Sequence, residues 1–386
     1  MNQRTIRELF ALLRSAISDK KMTSDERECY SSEMLTDLLK ISTKHDISHL
    51  FILGLKNNDL LMQEEQKEEA RLFSAVCRYE QKNYELEQLQ SVLEKAQIPF
   101  VPLKGTVLHR YYKEPWMRTS CDIDILVKQE DCQVAVEVLT KELGYSCGRT
   151  GNHDVSLTTP QNVHIELHYT LRRDGNIKNA SEILGRVWDD SAPKKGHKYW
   201  LEMSDEMFYF HHIAHMAKHF LYGGCGIRPY LDLWILDNIP GMNKEKRDEL
   251  LEIGGLLGFA NACRTLSRIW FDGEASDSVS ERMQEYILTG GVYGSSSNRI
   301  AAQQHIKGGK LKYAMSKVFL PYEELKYHYP VLQKKRWLTP IMEVRRWGKH
   351  LFGKDAGRAI TELKTNQSSD ANNKDGIKDL ISSVGL

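Results

Sequence analysis

The chain has 386 residues, 41% of them hydrophobic and 27% charged, with a formal net charge of +1. That balance is ordinary for a globular protein of two or three packed units, and it gives no support for a bulk electrostatic attraction to nucleic acid or membrane. Seven scattered cysteines with no C-x-x-C pair argue against a disulfide framework and for a reducing cytoplasm. Charges break up the first eighteen residues, so no signal peptide is expected, and no apolar run is long enough to predict a membrane span.

Residues 1–97 read as helices. Ile6, Leu9, Phe10, Leu13 and Ile17 recur at helical spacing over Thr5–Ile17. Asp46 stands as an N-cap before the apolar run ending at Leu55. Glu64–Ala96 predicts one long helix whose buried stripe is Phe73, Cys77, Leu86, Leu89 and Leu93. This region reads as a supporting helical layer.

The next stretch carries the chemistry. An extended segment, Ile98–Leu103, gives way to Lys104-Gly105-Thr106 at the start of a predicted helix. A glycine there lets backbone N–H groups approach an anion closely. Further on, Asp122 and Asp124 alternate with Ile123, Ile125 and Val127. Period 2 predicts a strand with both carboxylates on one face. Two such acids repel unless a cation lies between them or one takes a proton, and Mg²⁺ is the usual occupant where phosphate is handled. Gln129–Leu143 predicts an amphipathic helix on Val134, Val138 and Leu139, closed by Gly144. Strands are expected at Tyr145–Arg149 and Val155–Thr159, joined by a turn at Gly151-Asn152. A last strand, Val163–Leu171, places His164, Glu166 and His168 on one face. If it lies beside the Asp122–Asp124 strand, Glu166 adds a third carboxylate.

The Gly105-Thr106 turn, the Asp122-x-Asp124 strand and the later Glu166 strand resemble the DNA polymerase β-like nucleotidyltransferase superfamily. The fuller string, Leu103-Lys104-Gly105 followed by Tyr112, Arg118 and DIDILV, is similar to an uncharacterised bacterial nucleotidyltransferase-like family, and the likeness extends to His211–Asp232. The resemblance implies an α+β fold, a small mixed β-sheet nucleotidyltransferase core flanked by N-terminal and C-terminal helical regions. It divides the chain into 1–97 (helical), 98–200 (core), 201–364 (helical) and 365–386 (a polar, flexible tail). It also implies an enzyme that moves a nucleoside monophosphate from an NTP, ATP first among them, to an acceptor hydroxyl that the sequence does not name. Asp122, Asp124 and Glu166 would be the catalytic and metal-binding residues, with Mg²⁺ or Mn²⁺ as cofactor. Lys104, Gly105, Thr106, Arg118, Lys218 and Arg228 would grip the nucleotide. The alternative is a non-catalytic nucleotide- or partner-binding protein that keeps the fold.

From about Asp205 the chain reads as helical again. His211, His215 and His219 share a helix face over Glu206–Leu221, a spacing open to zinc or to a histidine-based hydrolase. With no acid or cysteine completing the set, a polar helix lining the nucleotide cleft is the expected role. Arg228 either reaches phosphate or pairs internally with Asp232. Helices follow over Lys244–Gly258 and Ala260–Phe271, and Gly290–Asn298 reads as a flexible linker lacking the Lys-Ser/Thr ending of a P-loop. Lys334–Arg358 is basic, with Trp337, Trp347 and Phe352 interleaved. It is open to an anionic polymer or membrane surface, although a solvated helix with its aromatics packed inward is the preferred reading.

Overall fold

The computed structural model describes residues 3–18, 20–61, 65–172, 177, 179–352 and 371–386. At its centre is a five-stranded mixed sheet in the order β1-β2-β5-β4-β3, built from β1 (Phe100–Pro102), β2 (Asp122–Val127), β3 (Ser146–Thr150), β4 (Asp154–Thr158) and β5 (His164–His168). Only β2 and β5 run parallel; the other neighbours are antiparallel. Helices surround the sheet, so the α+β class expected from the sequence is the one observed.

The alternation in β2 and β5 gives the sheet two unlike faces. Ile123, Ile125, Val127, Ile165 and Leu167 pack with Leu86, Leu89 and Leu93 of the long helix Glu65–Lys95 and with Ala135 and Leu139 of the helix Cys132–Leu143. Each such burial contributes about 1.5–3 kcal/mol, which holds the register and keeps the alternate residues on the opposite face. That opposite face carries Asp124, Glu166 and His168 and looks toward the helix Asp205–Leu221.

A second core joins both ends of the chain. Phe10 of the helix Gln3–Ile17 stacks on Trp270 of the helix Leu257–Phe271, with ring centroids 4.3 Å apart. The same buried cluster continues through Phe208, Phe210, Phe220 and Tyr230 to Leu380 and Val384.

Several local expectations need correction. Asp46 is no N-cap: the helix starts at Ser48, and Asp46 takes a φ of 52° and pairs with Arg228. Phe73 and Cys77 face solvent rather than the core, and Val134 is exposed while Ala135 is buried. The helix from Lys244 ends at Ile253, and the next begins at Leu257. Residues 290–295 are a packed turn, not a linker: Ser295 N–H bonds Gly223 O, Val292 N–H bonds Lys44 O, and Ser295 caps the helix Ser296–Lys307. A Cβ on Gly294 would lie 2.3 Å from the Gly223 carbonyl, which is why glycine is needed there. The residues 371–386, expected as a flexible tail, include the helix Ala371–Ser383 with Ile377, Leu380 and Ile381 buried; the preceding 365–370 lie outside the described residues. In the basic segment Trp347 donates to Val318 O, but Trp337 is 71% exposed, against the inward packing expected; residues 353–358 lie outside the described residues.

Candidate active site

The parallel register of β2 and β5 sets Asp124 directly beside Glu166, and Asp122 beside His164. Lys104 closes the group from the β1 side. Its backbone is held at φ 46°, ψ −127°, an uncommon conformation for a non-glycine residue. Its ammonium lies 2.5 Å from Asp124 Oδ1 and 3.7 Å from Glu166 Oε2. His168 Nε2 lies 2.8 Å from Asp124 Oδ1 and 3.4 Å from Glu166 Oε2. Asp124 and His168 are buried, whereas Glu166 and Asp122 are partly open to the cleft.

These contacts drive the acids apart electrostatically. Burial raises the Asp124 pKa, but Lys104 and His168 more than offset it and hold the carboxyl well below its usual range. Asp122 moves the other way, raised by burial and by the Asp124 charge. The hydrogen bond with His168 keeps Glu166 low despite partial burial. Burial opposes the charge on Lys104, but Asp124 outweighs it and keeps the ammonium protonated. Asp124 and Glu166 thus already share one side-chain cation.

Gly105 is where the chain passes closest to the neighbouring loop. A Cβ there would meet Ser120 Cβ at 2.8 Å. Thr106 accepts a hydrogen bond on Oγ1 from Asp124 N–H at 3.2 Å, so its hydroxyl steadies β2. Arg118 is committed, its side chain only 9% exposed: Nε donates to Asp232 Oδ1 at 2.6 Å, and Tyr112 Oη donates to the same oxygen at 2.7 Å. The internal partner of Asp232 is therefore Arg118, not Arg228. Arg228 instead bonds Asp46 Oδ2 at 2.7 Å and Thr119 O at 3.0 Å.

Asp122, Asp124, Glu166, Lys104 and Gly105 open onto a cleft of about 320 Å³ whose far wall includes Lys218, Arg228, His211 and His215. His211 is buried with its Nδ1 unpaired, and desolvation, with Lys104 nearby, lowers its pKa to about 3, leaving it neutral. His215 and His219 approach through Nε2 at 3.2 Å. Among the described residues the one group of three ligating side chains close enough to share a metal ion is Asp124, Glu166 and His168, so the histidine helix face does not form such a set. His168 is the member that the sequence reading left out of the site. Its signal was present, two residues beyond Glu166 on the same strand face.

No helix among the described residues is long and apolar enough to cross a membrane, and all seven cysteines are free. No curated protein and no solved structure matches the chain. A family model described as "uncharacterised nucleotidyltransferase" matches residues 31–272, which include every residue of the cluster. On that match the chain belongs to the uncharacterised nucleotidyltransferase family.

Proposed function

We propose that the protein is a metal-dependent nucleotidyltransferase that moves a nucleoside monophosphate from an NTP to an acceptor hydroxyl, with Asp122, Asp124 and Glu166 as its catalytic acids. The observation that carries this reading is the placement of Asp124 and Glu166 side by side on parallel strands, with a cation, the Lys104 ammonium, already between them. A site that draws an ammonium to oxygen donors suits a hard divalent ion such as Mg²⁺ or Mn²⁺. Asp124 and Glu166, which with His168 form the set close enough to share one ion, would hold it, with Asp122 in the lining of the same cleft; when bound it would supply charge neutralisation on the triphosphate and activation of the attacking oxygen.

The chain's own residues do the remainder. Glu166, partly open to the cleft, accepts the proton of the acceptor hydroxyl as its oxygen bonds to the α-phosphorus. The bond from that phosphorus to the bridging oxygen breaks, and pyrophosphate leaves. Lys104, which lines the same cleft, supplies positive charge for the departing phosphates. The Gly105 N–H donates to a phosphate oxygen, and Lys218 and Arg228 supply positive charge from the far wall of the cleft. Thr106 and Arg118 are positioning residues in this scheme, acting through the Asp124 backbone and the Asp232–Tyr112 network. We infer ATP as the donor and a reducing cytoplasm as the setting.

The test is incubation with each α-³²P-labelled NTP, Mg²⁺ or Mn²⁺ and a fractionated cell extract. The expected result is a labelled product together with pyrophosphate, both absent for Asp124→Asn. Tight NTP binding with no labelled product under any acceptor fraction would point instead to a non-catalytic binding protein.

A further inference from the structure

The residues from Lys310 to Phe352 lie beyond the family match, which ends at 272, and differ in character from the rest of the chain. They hold ten Lys and Arg against three Glu, a net charge of +7; the whole chain is +1, so all other residues together carry −6. The near-neutral total hides a strongly basic segment.

This segment also turns apolar side chains outward. Of the thirteen exposed large apolar side chains among the described residues, seven fall here: Leu311, Met315, Phe319, Val331, Trp337, Ile341 and Val344. Leu311 and Met315 are one turn apart on the helix Lys310–Val318, and Phe319 continues their stripe. That helix buries Tyr313 instead. The helix Thr339–Phe352 packs through Glu343, Arg346 and Trp347, which bond Leu320 N–H, Val318 O and Lys317 O. Ile341 and Val344 are on its other side, with Trp337 in the turn just before it. Lys312, Lys317, Lys334, Lys335, Arg336 and Arg345 are all exposed around these stripes.

We propose that residues 310–352 form a docking surface for an anionic phospholipid bilayer, laying the Trp337–Ile341–Val344 face into the interface while the flanking lysines and arginines meet the headgroups. Amphipathic helices that bind the bilayer plane have an apolar face with Trp or Phe, a rim of Lys and Arg, and no need to span. A nucleic acid would also meet the charge, but it leaves Ile341, Val344, Leu311 and Met315 without a role, because phosphate recognition uses cations and hydrogen bonds. Apolar stripes and basic rims together favour the bilayer. The surface is separate from the carboxylate cleft and does not depend on its chemistry.

The test uses the full chain with sucrose-loaded vesicles of phosphatidylcholine alone or with 30 mol% phosphatidylglycerol. The protein is expected to sediment with the anionic vesicles only, and less as salt rises. Replacing Lys334, Lys335 and Arg336 by Gln should weaken partitioning roughly a hundredfold, at about fivefold per cation. Ile341→Glu with Val344→Glu should abolish it while thermal unfolding stays unchanged, these being surface positions. The proposal would be overturned by no sedimentation with anionic vesicles, by sedimentation that both variants retain, or by light scattering that shows a dimer dissociated by I341E/V344E. Preferential binding of a DNA or RNA duplex, lost with the Gln variant and kept by the Glu variant, would overturn it in favour of nucleic acid.

Discussion

Asp124 and Glu166 are lateral neighbours across a parallel strand pair, and the Lys104 ammonium touches the first at 2.5 Å and faces the second at 3.7 Å. Two buried or half-buried acids so placed need a cation whenever both are ionised, whether it comes from the chain or from solution. The first prediction follows from exchanging one for the other. Asp124→Asn removes the deepest carboxylate while keeping its volume, and turnover should fall on the order of 10³-fold. Pyrophosphate release measured against unfolding by circular dichroism separates lost chemistry from lost fold.

Gly105 tests the closeness of the turn to Ser120. Gly105→Ala adds a methyl group 2.8 Å from Ser120 Cβ, and overpacking of that kind costs about 1–3 kcal/mol. The urea midpoint should drop accordingly. A companion change, Ser120→Gly, removes the clashing carbon and should recover part of the loss; no recovery would mean that the strain lies elsewhere.

Arg118 and Asp232 form a buried pair that ties the loop before β2 to the helix Arg228–Leu236. Arg118→Ala leaves the Asp232 charge without its partner, at a cost of about 3–5 kcal/mol. A double-mutant cycle with Asp232→Asn checks this, since the two changes together should cost less than their sum. Strict additivity would show that the pair is not coupled.

His49 gives a pH prediction. It is buried, its Nε2 lies 2.8 Å from Met117 O, and desolvation lowers its pKa from 6.5 to about 4. The folded state therefore resists a proton that the unfolded state accepts. Its contribution is absent above the unfolded pKa and grows unfavourable as pH falls from 6.5 toward 4, reaching about 3 kcal/mol. His49→Gln can still donate to Met117 O without titrating, so its stability curve should be flatter over that window. Parallel curves for the two proteins would contradict the assignment.

The pattern of polar and apolar residues revealed the sheet and its acids because a period of 2 is strict. Ile123, Ile125 and Val127 could be buried only by turning Asp122 and Asp124 to the other face, and the same holds for Ile165 and Leu167 around Glu166. What the pattern could not carry was the identity of partners far apart in sequence. Arg118 and Arg228 are equally plausible mates for Asp232 on paper, and only the packing of the helix Arg228–Leu236 decides between them. His168 was visible on the right face, but its bond to Asp124 depends on a strand pairing that no local signal states. Asp46 misled because a capping residue and an ion-pair residue look alike before an apolar run. The C-terminal segment misled through composition: Ser, Asp and Asn precede a helix whose Ile377, Leu380, Ile381 and Val384 are sparse but buried.

That last correction is testable. Leu380→Ala should destabilise by about 2–4 kcal/mol, as expected for a core leucine rather than a residue in a loose tail. An unchanged melting temperature would return the segment to the surface.

The central claim is that Asp124 and Glu166, with Asp122 in the same cleft, hold a divalent cation, and Mn²⁺ titration followed by electron paramagnetic resonance tests it most directly. In the presence of a non-hydrolysable NTP analogue, the native protein should remove the free Mn²⁺ signal stoichiometrically, and Asp124→Asn and Glu166→Gln should each weaken that uptake strongly. Mn²⁺ uptake that is the same in the native protein and in both variants would contradict the account.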